Sequence, residues 1–549
     1  MKGIVLFIWL LSIGFGYGNA IDTQDDGLVD HAWDSIDKKW SQLHKDDLFV
    51  GFDSGSNKLA DTFDIDDSDI FLADNSTGLQ EFEPIRNTII QSETQYYSFR
   101  INTTDGLGHY YEFLIFLSGN ICSQPDNVYD NQTNIAVYYS FNASMFQDFS
   151  LGQMKLFQNG YFQALAEAPL ESINNDDSTG ENNPDNDFSI LYIGVRAPEN
   201  TNRTAQWSYQ IGVSQNDLVF QWDDRTWAQV IDTDSDSALI TTGNLTAPND
   251  MELLNITKSQ YSLHIYSYDY VNYFNQLNSS WCAIRKGPAL YSRHDIETSY
   301  TNRLGFLQQQ FYVTGLNAST KYIAYLLSDF KGSSYGGAVY RPFEIETMDN
   351  DACQLIYDLQ FCDKVSYSVP ASSSLLSISD LKSLYDEQAE AYYTNFTKAL
   401  DQIACNTTDD AEFSPMKTCQ DCANMYKEWL CSVTIPRCST RNQTGYIFRD
   451  KNESRNDFLN NIVQPQPYFE ILPCIDVCNA MVRDCPADFG FFCPTKNYFI
   501  KKSYYWWDPD SEWPSCNYYN TNLLTSNAPP RFTLHWWLIF SWFIVYATM

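Results

Sequence analysis

Short apolar segments separated by polar clusters dominate the chain from about residue 84 onward. Residues 96–101, 111–117, 136–141 and 191–195 are rich in aromatic and β-branched side chains, with Asn, Asp or Gly clusters between them. Segments of this length and composition are typical of β-strands, and no helical period separates them. The pattern predicts a β-sandwich over residues 84–214, with a long surface loop at 174–187.

A second β-sandwich is predicted over residues 215–348. It ends with the segment 311–322, which resembles the tyrosine-corner strand of fibronectin type III modules. In those modules the tyrosine hydroxyl, here that of Tyr322, caps upstream backbone. The resemblance covers one strand of the predicted sandwich.

Helical periodicity appears only toward the C-terminus. Apolar side chains recur near a period of 3.6 over residues 380–405, and Asp380 fits an N-cap or first-turn acid. Cys474, Cys478 and Cys485 lie at offsets that share one helical face, and Pro486 then ends the helix. We therefore expect an α-helical, disulfide-rich region over residues 353–520, with one helix face joined to its neighbours.

The two ends of the chain carry targeting signals. Lys2, the apolar segment 4–13 and a small-x-small site before Ile21 predict a signal peptide over residues 1–20. Residues 21–83 are acidic and form a loosely ordered arm in this interpretation. Residues 528–549 form a hydrophobic tail, predicted to be a GPI-anchor signal cleaved near Ser526 or Asn527. A retained terminal helix is the alternative.

N-glycosylation sequons are scattered along the chain, as expected of a protein that enters the secretory pathway. The thirteen sequon asparagines are Asn75, Asn102, Asn131, Asn142, Asn202, Asn244, Asn255, Asn278, Asn317, Asn395, Asn406, Asn442 and Asn452.

An even number of cysteines in an oxidising compartment predicts disulfides, whose pairing the sequence leaves open. The fourteen are Cys122, Cys282, Cys353, Cys362, Cys405, Cys419, Cys422, Cys431, Cys438, Cys474, Cys478, Cys485, Cys493 and Cys516. Zinc binding by Cys419 and Cys422 is the alternative, but no second CxxC or paired histidines follow.

Composition narrows the functional classes. The 549 residues, 44% of them hydrophobic, are enough for about three or four domains. A net charge of −35 argues against binding nucleic acid or anionic lipid by overall charge. Apart from the two ends, no segment is long and apolar enough to cross a bilayer.

Two motifs suggest a catalytic or a calcium-binding site, but neither is accompanied by all the residues that such a site needs. Gly332 to Gly336 fits G-x-S-x-G, but a strand-like segment follows and the only downstream histidine is His535. A hairpin loop explains these glycines. The run from Asp232 to Asp236 resembles a calcium loop, yet Ser237 and Gly243 stand where an EF-hand needs Gly and Glu. The sequence predicts neither an enzyme nor a cofactor, and calcium contact of another geometry stays open.

Several segments are very similar to the fungal stretch-activated calcium-channel component that cells require to survive mating. They are residues 118–122 (SGNIC), 216–223 (NDLVFQWD), 232–234 (DTD), 314–320 (TGLNAST) and 468–474 (YFEILPC) with the block that continues to Cys493. The likeness runs from about residue 85 to 520. The apolar tail is a departure, because family members need not carry one.

The cysteine-rich region resembles a Frizzled-type domain. Leu430-Cys431-Ser432, Pro436 with Cys438, and Pro473-Cys474 with Val477-Cys478 follow that pattern. A related domain occurs in the ancillary subunit of the animal sodium-leak channel, where it caps a four-repeat pore from outside.

The resemblance implies an extracellular regulatory subunit of a stretch-activated, calcium-permeable cation channel. Its partner would be a pore-forming, voltage-gated-like calcium channel subunit, and together they would mediate high-affinity calcium influx. The expected location is the outer face of the fungal plasma membrane, reached through the endoplasmic reticulum. A GPI-anchored lipid- or ligand-binding receptor and a cell-wall glycoprotein are the alternatives.

Overall fold

The computed structural model describes residues 76–518, without 102–111, 126–133, 170–189, 200–204, 247–258, 288–295, 304, 331–335, 373–374, 404–413, 415, 452, 509 and 512. The predicted signal peptide, nearly all of the acidic arm, and the hydrophobic tail with Ser526 and Asn527 lie outside the described residues. The loop predicted at 174–187 lies outside them too.

The first sandwich consists of a five-stranded sheet, in the order β1-β3-β8-β5-β6, and a four-stranded sheet, β2-β9-β4-β7. Its strands are β1 (Thr77–Gly78), β2 (Ile85–Ile90), β3 (Thr94–Arg100), β4 (Glu112–Ser123), β5 (Ala136–Ser140), β6 (Gln153–Leu156), β7 (Tyr161–Pro169), β8 (Ile190–Arg196) and β9 (Gln206–Ser214). Two 3-10 helices, Ala143–Phe146 and Phe149–Leu151, connect β5 to β6. Strands β3, β4, β5 and β8 cover the four apolar segments from which this sandwich was predicted.

Alternation of side chains along these strands builds the core. Tyr97 and Phe99 of β3 and Ile193 of β8 point between the sheets and are buried there. The hydroxyls of Tyr97 and Tyr209 lie 2.6 Å apart inside this core. Each of these two tyrosines therefore has a polar partner for its hydroxyl, and such a partner is usual for a buried tyrosine.

The second sandwich pairs β10-β17-β16-β13, with β18 also on β16, against β11-β12-β15-β14. Its strands are β10 (Phe220–Asp223), β11 (Ala228–Thr233), β12 (Ser237–Thr242), β13 (Tyr261–Ser267), β14 (Ile296–Arg303), β15 (Phe306–Thr314), β16 (Lys321–Asp329), β17 (Gly337–Tyr340) and β18 (Phe343–Glu346). A 3-10 turn at Tyr268–Tyr270 and two short helices, α1 (Val271–Phe274) and α2 (Trp281–Lys286), follow β13. These helices are too short for a periodic pattern, so the sequence did not predict them.

The turn between β15 and β16 has the geometry that the tyrosine-corner resemblance implies. The Tyr322 hydroxyl accepts a hydrogen bond of 2.8 Å from the backbone N–H of Asn317, and Tyr322 is fully buried. Gly315, with φ of 78°, and Ser319, with φ of 53°, provide the left-handed residues of this turn. The buried ring and the capped backbone fix the end of β15 against the start of β16.

His264 on β13 gives the second sandwich an acid-sensitive position. Burial lowers the pKa of His264 to about 4, and the nearby Arg285 acts in the same direction. An unfolded histidine titrates near 6.5, so the unfolded chain binds the additional proton between pH 6.5 and 4. The stabilising effect of the neutral ring is therefore complete above pH 6.5 and is lost as the pH falls toward 4.

Acidification from pH 7 to pH 4.5 should therefore destabilise the wild type more than the variant His264→Gln, by about 2 kcal/mol. The amide of glutamine keeps a polar side chain but does not titrate in this range. Urea unfolding of both proteins at the two pH values measures the difference. Equal losses in both proteins would contradict the prediction.

The last region combines helices with two small sheets. A hairpin of β19 (Cys353–Ile356) and β20 (Tyr367–Pro370) is followed by helices α3 (Ile378–Leu400) and α4 (Cys419–Thr434). Then come β21 (Arg437–Ser439), β22 (Ile447–Arg449), a π-helical turn at Leu459–Val463, β23 (Tyr468–Ile471), α5 (Ile475–Asp484), a 3-10 turn at Ala487–Phe489 and α6 (Asn497–Ser503). The sheet order is β21-β23-β22.

The expectation of an α-helical region is thus only partly met, because five short strands join the four helices of this described part. The strands are three or four residues long, and runs of that length carry too little periodicity to be separated from loops. Helix α3 begins after the N-cap Ser377, so Asp380 is its first-turn acid. Tyr392, which fitted the apolar period, is 47% exposed.

Helix α5 also differs from the prediction in its ends. Cys474 is its N-cap and Cys485 its C-cap, so only Cys478 lies within the helix. Cys474 bonds to Cys516, Cys478 to Cys493 and Cys485 to Cys422. Disulfides therefore hold both ends and the middle of α5. In the described part of the chain, no helix is long and apolar enough to cross a membrane.

Candidate functional site

Strand β4 of the first sandwich and helix α2 of the second meet at what we term the first junction. The disulfide Cys122–Cys282 joins them covalently. Ser280, the N-cap of α2, donates a hydrogen bond of 2.7 Å to the Ile121 carbonyl. The Asn120 side chain accepts from the backbone N–H of Trp281 at 3.3 Å. One covalent bond and two buried hydrogen bonds therefore fix α2 on β4.

A further contact extends the first junction to strand β10. The Ser118 hydroxyl accepts a hydrogen bond of 2.9 Å from the backbone N–H of Phe220, and the Tyr161 hydroxyl donates to the Phe220 carbonyl at 3.0 Å. Ser118 and Asn120 are both fully buried. The segment 118–122, singled out by its family likeness, thus supplies several of the contacts of the first sandwich with the second.

The second junction, between the second sandwich and the cysteine-rich region, centres on a buried ion pair. The Asp232 carboxylate, at the end of β11, accepts a hydrogen bond from Nε of Arg437 and forms an ion pair with its Nη2, each at 2.9 Å. Both side chains are at most 2% exposed. Ser368 of β20 adds its backbone N–H at 3.3 Å to the same carboxylate. Burial raises the pKa of Asp232, and the Arg437 guanidinium acts in the opposite direction.

Asp234 ties the same strand end to the hairpin β19–β20. Its carboxylate accepts the backbone N–H of Leu355 at 2.9 Å and those of Asp236 and Ser237 at 3.0 and 2.6 Å. Burial raises the pKa of Asp234 to about 6, although these N–H groups favour the charged form. The carboxylate thus holds its own turn and a strand of the next region at once.

Three other contacts complete the second junction. The disulfide Cys353–Cys438 links β19 to β21 directly beside Arg437. Arg441 reaches back to Glu346 of β18 at 2.7 Å. The Tyr312 and Tyr357 rings, 4.8 Å apart, pack across the boundary. The junction therefore combines ionic and apolar contacts with a disulfide that braces its cysteine-rich side.

Sequence reasoning singled out Asp232 and Asp234 as a calcium-loop-like run and missed their partners. The carboxylates of both residues accept hydrogen bonds from protein N–H groups. In a calcium loop, carboxylate oxygens would instead coordinate the cation. In the described residues, no group of three or more His, Cys, Asp or Glu side chains is placed to hold a metal ion. Arg437, between Pro436 and Cys438, was detectable only as a lone basic residue in an otherwise uncharged segment.

The described cysteines are joined in pairs. Six disulfides are present: Cys122–Cys282, Cys353–Cys438, Cys362–Cys431, Cys422–Cys485, Cys474–Cys516 and Cys478–Cys493. Cys419 is also disulfide-bonded, and Cys405 lies outside the described residues. The zinc alternative is therefore wrong, since both cysteines of its CxxC motif are used in disulfides.

Sequon asparagines in the described part of the chain lie at or near the surface. Asn244, Asn317, Asn395 and Asn442 are exposed, and Asn142 and Asn278 are half-buried. The remaining seven, Asn75, Asn102, Asn131, Asn202, Asn255, Asn406 and Asn452, lie outside the described residues.

The strands around the G-x-S-x-G motif form a hairpin. Strand β16 pairs antiparallel with β17, from Leu327 with Val339 to Asp329 with Gly337. A nucleophile elbow needs a strand that leads into a helix. Residues 331–335 lie outside the described set, but the elements on either side of them have the hairpin order.

Comparison with known proteins gives one consistent family. A family model described as a stretch-activated Ca2+-permeable channel component matches residues 114–522. The stretch-activated cation channel MID1 of Saccharomyces cerevisiae is 39% identical over 495 residues, which cover 82% of this chain and 88% of that protein.

Two other fungal relatives match shorter parts. The stretch-activated cation channel yam8 of Schizosaccharomyces pombe is 41% identical over 303 residues, covering 54% of this chain and 59% of its own length. MID1 of Cryptococcus neoformans is 24% identical over 185 residues, 28% of this chain and 29% of that protein. Among solved structures, the glycoside hydrolase domain of Endo-D from Streptococcus pneumoniae aligns with 48% of this chain and 32% of its own at 10% identity. Its TM-score of 0.17 supports no argument about fold or activity.

Proposed function

The chain belongs to the family of stretch-activated Ca2+-permeable channel components, and we propose that it serves such a channel as an extracellular regulatory subunit. Its relatives carry the names of channels and not of enzymes. The proposed role is to regulate high-affinity calcium influx across the fungal plasma membrane.

An extracellular position is supported by the disulfides. Bonds of this kind persist in oxidising compartments and are rare in the cytosol. Six of them occur in the described residues, one at the first junction and five within the cysteine-rich region. Exposed sequons such as Asn317 and Asn442 support the same position. We propose that the sequon asparagines carry glycans and that the chain is GPI-anchored near Ser526 or Asn527.

The proposed partner is a pore-forming, voltage-gated-like calcium channel subunit. The resemblance of the cysteine-rich region to a Frizzled-type domain, and to the ancillary subunit of the sodium-leak channel, supports this choice. In this proposal the disulfide-bonded helices α4 and α5, with α3 packed against α4, provide the rigid surface that faces the pore subunit.

The two junctions carry the mechanical part of the proposal. A force on one sandwich reaches the pore subunit only if the modules between them move together. The disulfide Cys122–Cys282 and the buried pair of Asp232 and Arg437 hold the modules in one arrangement, and Cys353–Cys438 braces β19 and β21 beside Arg437 within the cysteine-rich region. The observation that carries this proposal is the complete burial of that ion pair, because displacing either partner would leave an unpaired charge in a buried site.

Calcium accumulation in fungal cells with and without this gene tests the proposal. After a mating-pheromone or low-calcium challenge, cells that lack the gene should accumulate less calcium, and the intact gene should restore accumulation. The variant Asp223→Ala is the matched control for variants at the second junction and should restore accumulation as the intact gene does. Asp223 pairs with Arg225, whose side chain is 70% exposed, outside both junctions.

The partner is tested separately by mild detergent extraction and purification of the tagged chain. Co-purification of a four-repeat pore protein would support the subunit role. Unchanged calcium accumulation would contradict it. In that case, saturable lipid binding would favour the receptor alternative, and co-purification with glucan would favour the wall alternative.

A further inference from the structure

Helix α6 and the segments on either side of it form an exposed aromatic and basic surface, which we term the α6 patch. Phe492, Tyr498 and Phe499 are 85%, 65% and 54% exposed. Lys501 and Lys502 are exposed in the last turn of α6. Isolated apolar side chains on a surface are ordinary, but three large aromatics within eight residues form a cluster.

The charge of the α6 patch is opposite to that of the whole protein. The chain has 69 acidic and 34 basic residues, yet residues 489–507 contain three lysines, including Lys496, and no acidic residue. The Lys502 ammonium lies 4.6 Å from the centre of the Tyr498 ring. Amphipathic aromatics next to lysines are the combination found at the level of lipid headgroups, where the rings enter the interface and the ammonium groups contact phosphates.

The α6 patch is held rigidly from beneath. Ile500 and Tyr504 are buried against Ile475 and Cys478 of α5. The Tyr504 hydroxyl accepts a hydrogen bond of 2.9 Å from Trp429 Nε1. The inner face of α6 is therefore used in packing, which leaves Tyr498 and Phe499 on the outer face without a structural task.

The chain leaves the described part of the molecule beside the α6 patch. The backbone of Asn517 donates to the Leu472 carbonyl at 2.7 Å, and that of Tyr505 donates to the Pro473 carbonyl at 3.0 Å. The end of α6 and the exit at Tyr518 thus lie on two sides of one short segment. Residues 519–526 separate this exit from the proposed anchor site near Ser526, a reach of at most about 30 Å.

N-glycosylation sequons are absent from this part of the sequence. Thirteen sequons are spread over the chain as far as Asn452, and residues 453–549 contain none. A bulky glycan would keep a surface away from a bilayer, so a sequon-free surface is what membrane contact requires.

From these observations we propose that the α6 patch contacts the outer leaflet of the membrane, with Tyr498 and Phe499 in the headgroup region and the lysines on lipid phosphates. The proposal concerns lipid and does not require the pore subunit. It would orient the cysteine-rich region by a second contact beside the proposed anchor.

Site-specific photo-crosslinking on the full chain in intact cells tests the proposal. The photoreactive phenylalanine analogue p-benzoylphenylalanine replaces Phe499 in one strain. In the control strain it replaces Phe448, which is 55% exposed on β22 and lies outside the α6 patch. After irradiation, phospholipid adducts should form at position 499 and be at least about tenfold less abundant at position 448. A protein adduct at 499, or no difference between the positions, would overturn the proposal.

Vesicle flotation of the full-length protein provides a second measurement. The variant Tyr498→Ser with Phe499→Ser should bind phosphatidylcholine vesicles at least about fivefold less than wild type. Lys501→Gln with Lys502→Gln should weaken binding to vesicles with one-third phosphatidylserine by a factor of about ten or more, since each lysine near an anionic surface contributes roughly fivefold. The C-terminal anchor is common to all variants, so a difference in binding between them reports on the α6 patch. Binding equal to wild type in both double variants would overturn the proposal.

Discussion

Replacing Asp232 with alanine is expected to lower the free energy of unfolding by about 3–5 kcal/mol. The Arg437 guanidinium would remain in a site where it is at most 2% exposed, without the carboxylate that it contacts at 2.9 Å. The backbone N–H of Ser368 would lose its acceptor as well. Urea unfolding of the purified protein, followed by intrinsic fluorescence, measures the change.

The matched control is Asp223→Ala, which breaks an ion pair in the same sandwich whose arginine is 70% exposed. Exposed pairs contribute about 0–1 kcal/mol, so this variant should stay close to wild type. The combined replacement of Asp232 by Leu and Arg437 by Met should recover much of the loss, because no buried charge then lacks a partner. Equal stability of Asp232→Ala and Asp223→Ala would contradict the assignment of the second junction.

The same variants separate stability from coupling. In cells, Asp232→Ala should reduce both the surface protein and calcium accumulation. The Leu and Met combination should restore the surface protein, because folding no longer requires a buried charge to be matched. If calcium accumulation also returns, the junction acts only by holding the modules together, as proposed.

Replacing Cys431 or Cys478 with serine is the second change from which we expect a large loss of stability. The disulfide Cys362–Cys431 closes a separation of 69 residues and Cys478–Cys493 one of 15. Because the entropy of the unfolded chain depends on the length of the closed loop, loss of the first should cost about 4 kcal/mol and loss of the second about 3 kcal/mol. Both variants should show reduced surface protein and reduced calcium accumulation.

The paired replacements Cys362→Ser with Cys431→Ser, and Cys478→Ser with Cys493→Ser, are the controls. They remove each disulfide without leaving an unpaired thiol that could form wrong disulfides during folding. Surface protein is measured by biotinylation of intact cells, together with calcium accumulation. Wild-type levels of both in all four variants would show that these disulfides are dispensable.

Local patterns predicted several of the strands. Strand β3 covers the apolar segment at 96–101 and β8 the one at 191–195, since alternation along a strand is written in neighbouring residues. The tyrosine corner at Tyr322 was also readable, because its turn and its ring lie within a few residues of each other. The small strands β19 to β23 were not, because a run of four residues takes its conformation from the partner strand.

The sequence by itself determined that the cysteines pair in disulfides, that strands are followed by helices, and which family the chain resembles. Pairing across long separations was decided only by tertiary structure: Cys122 meets Cys282 160 residues away, and Asp232 meets Arg437 205 residues away. Periodicity reports which side of an element is buried and does not identify the residue that will cover it. Whether a charged residue such as Asp232 lies in a surface turn or is buried at a junction depends on that partner, which only the folded chain supplies.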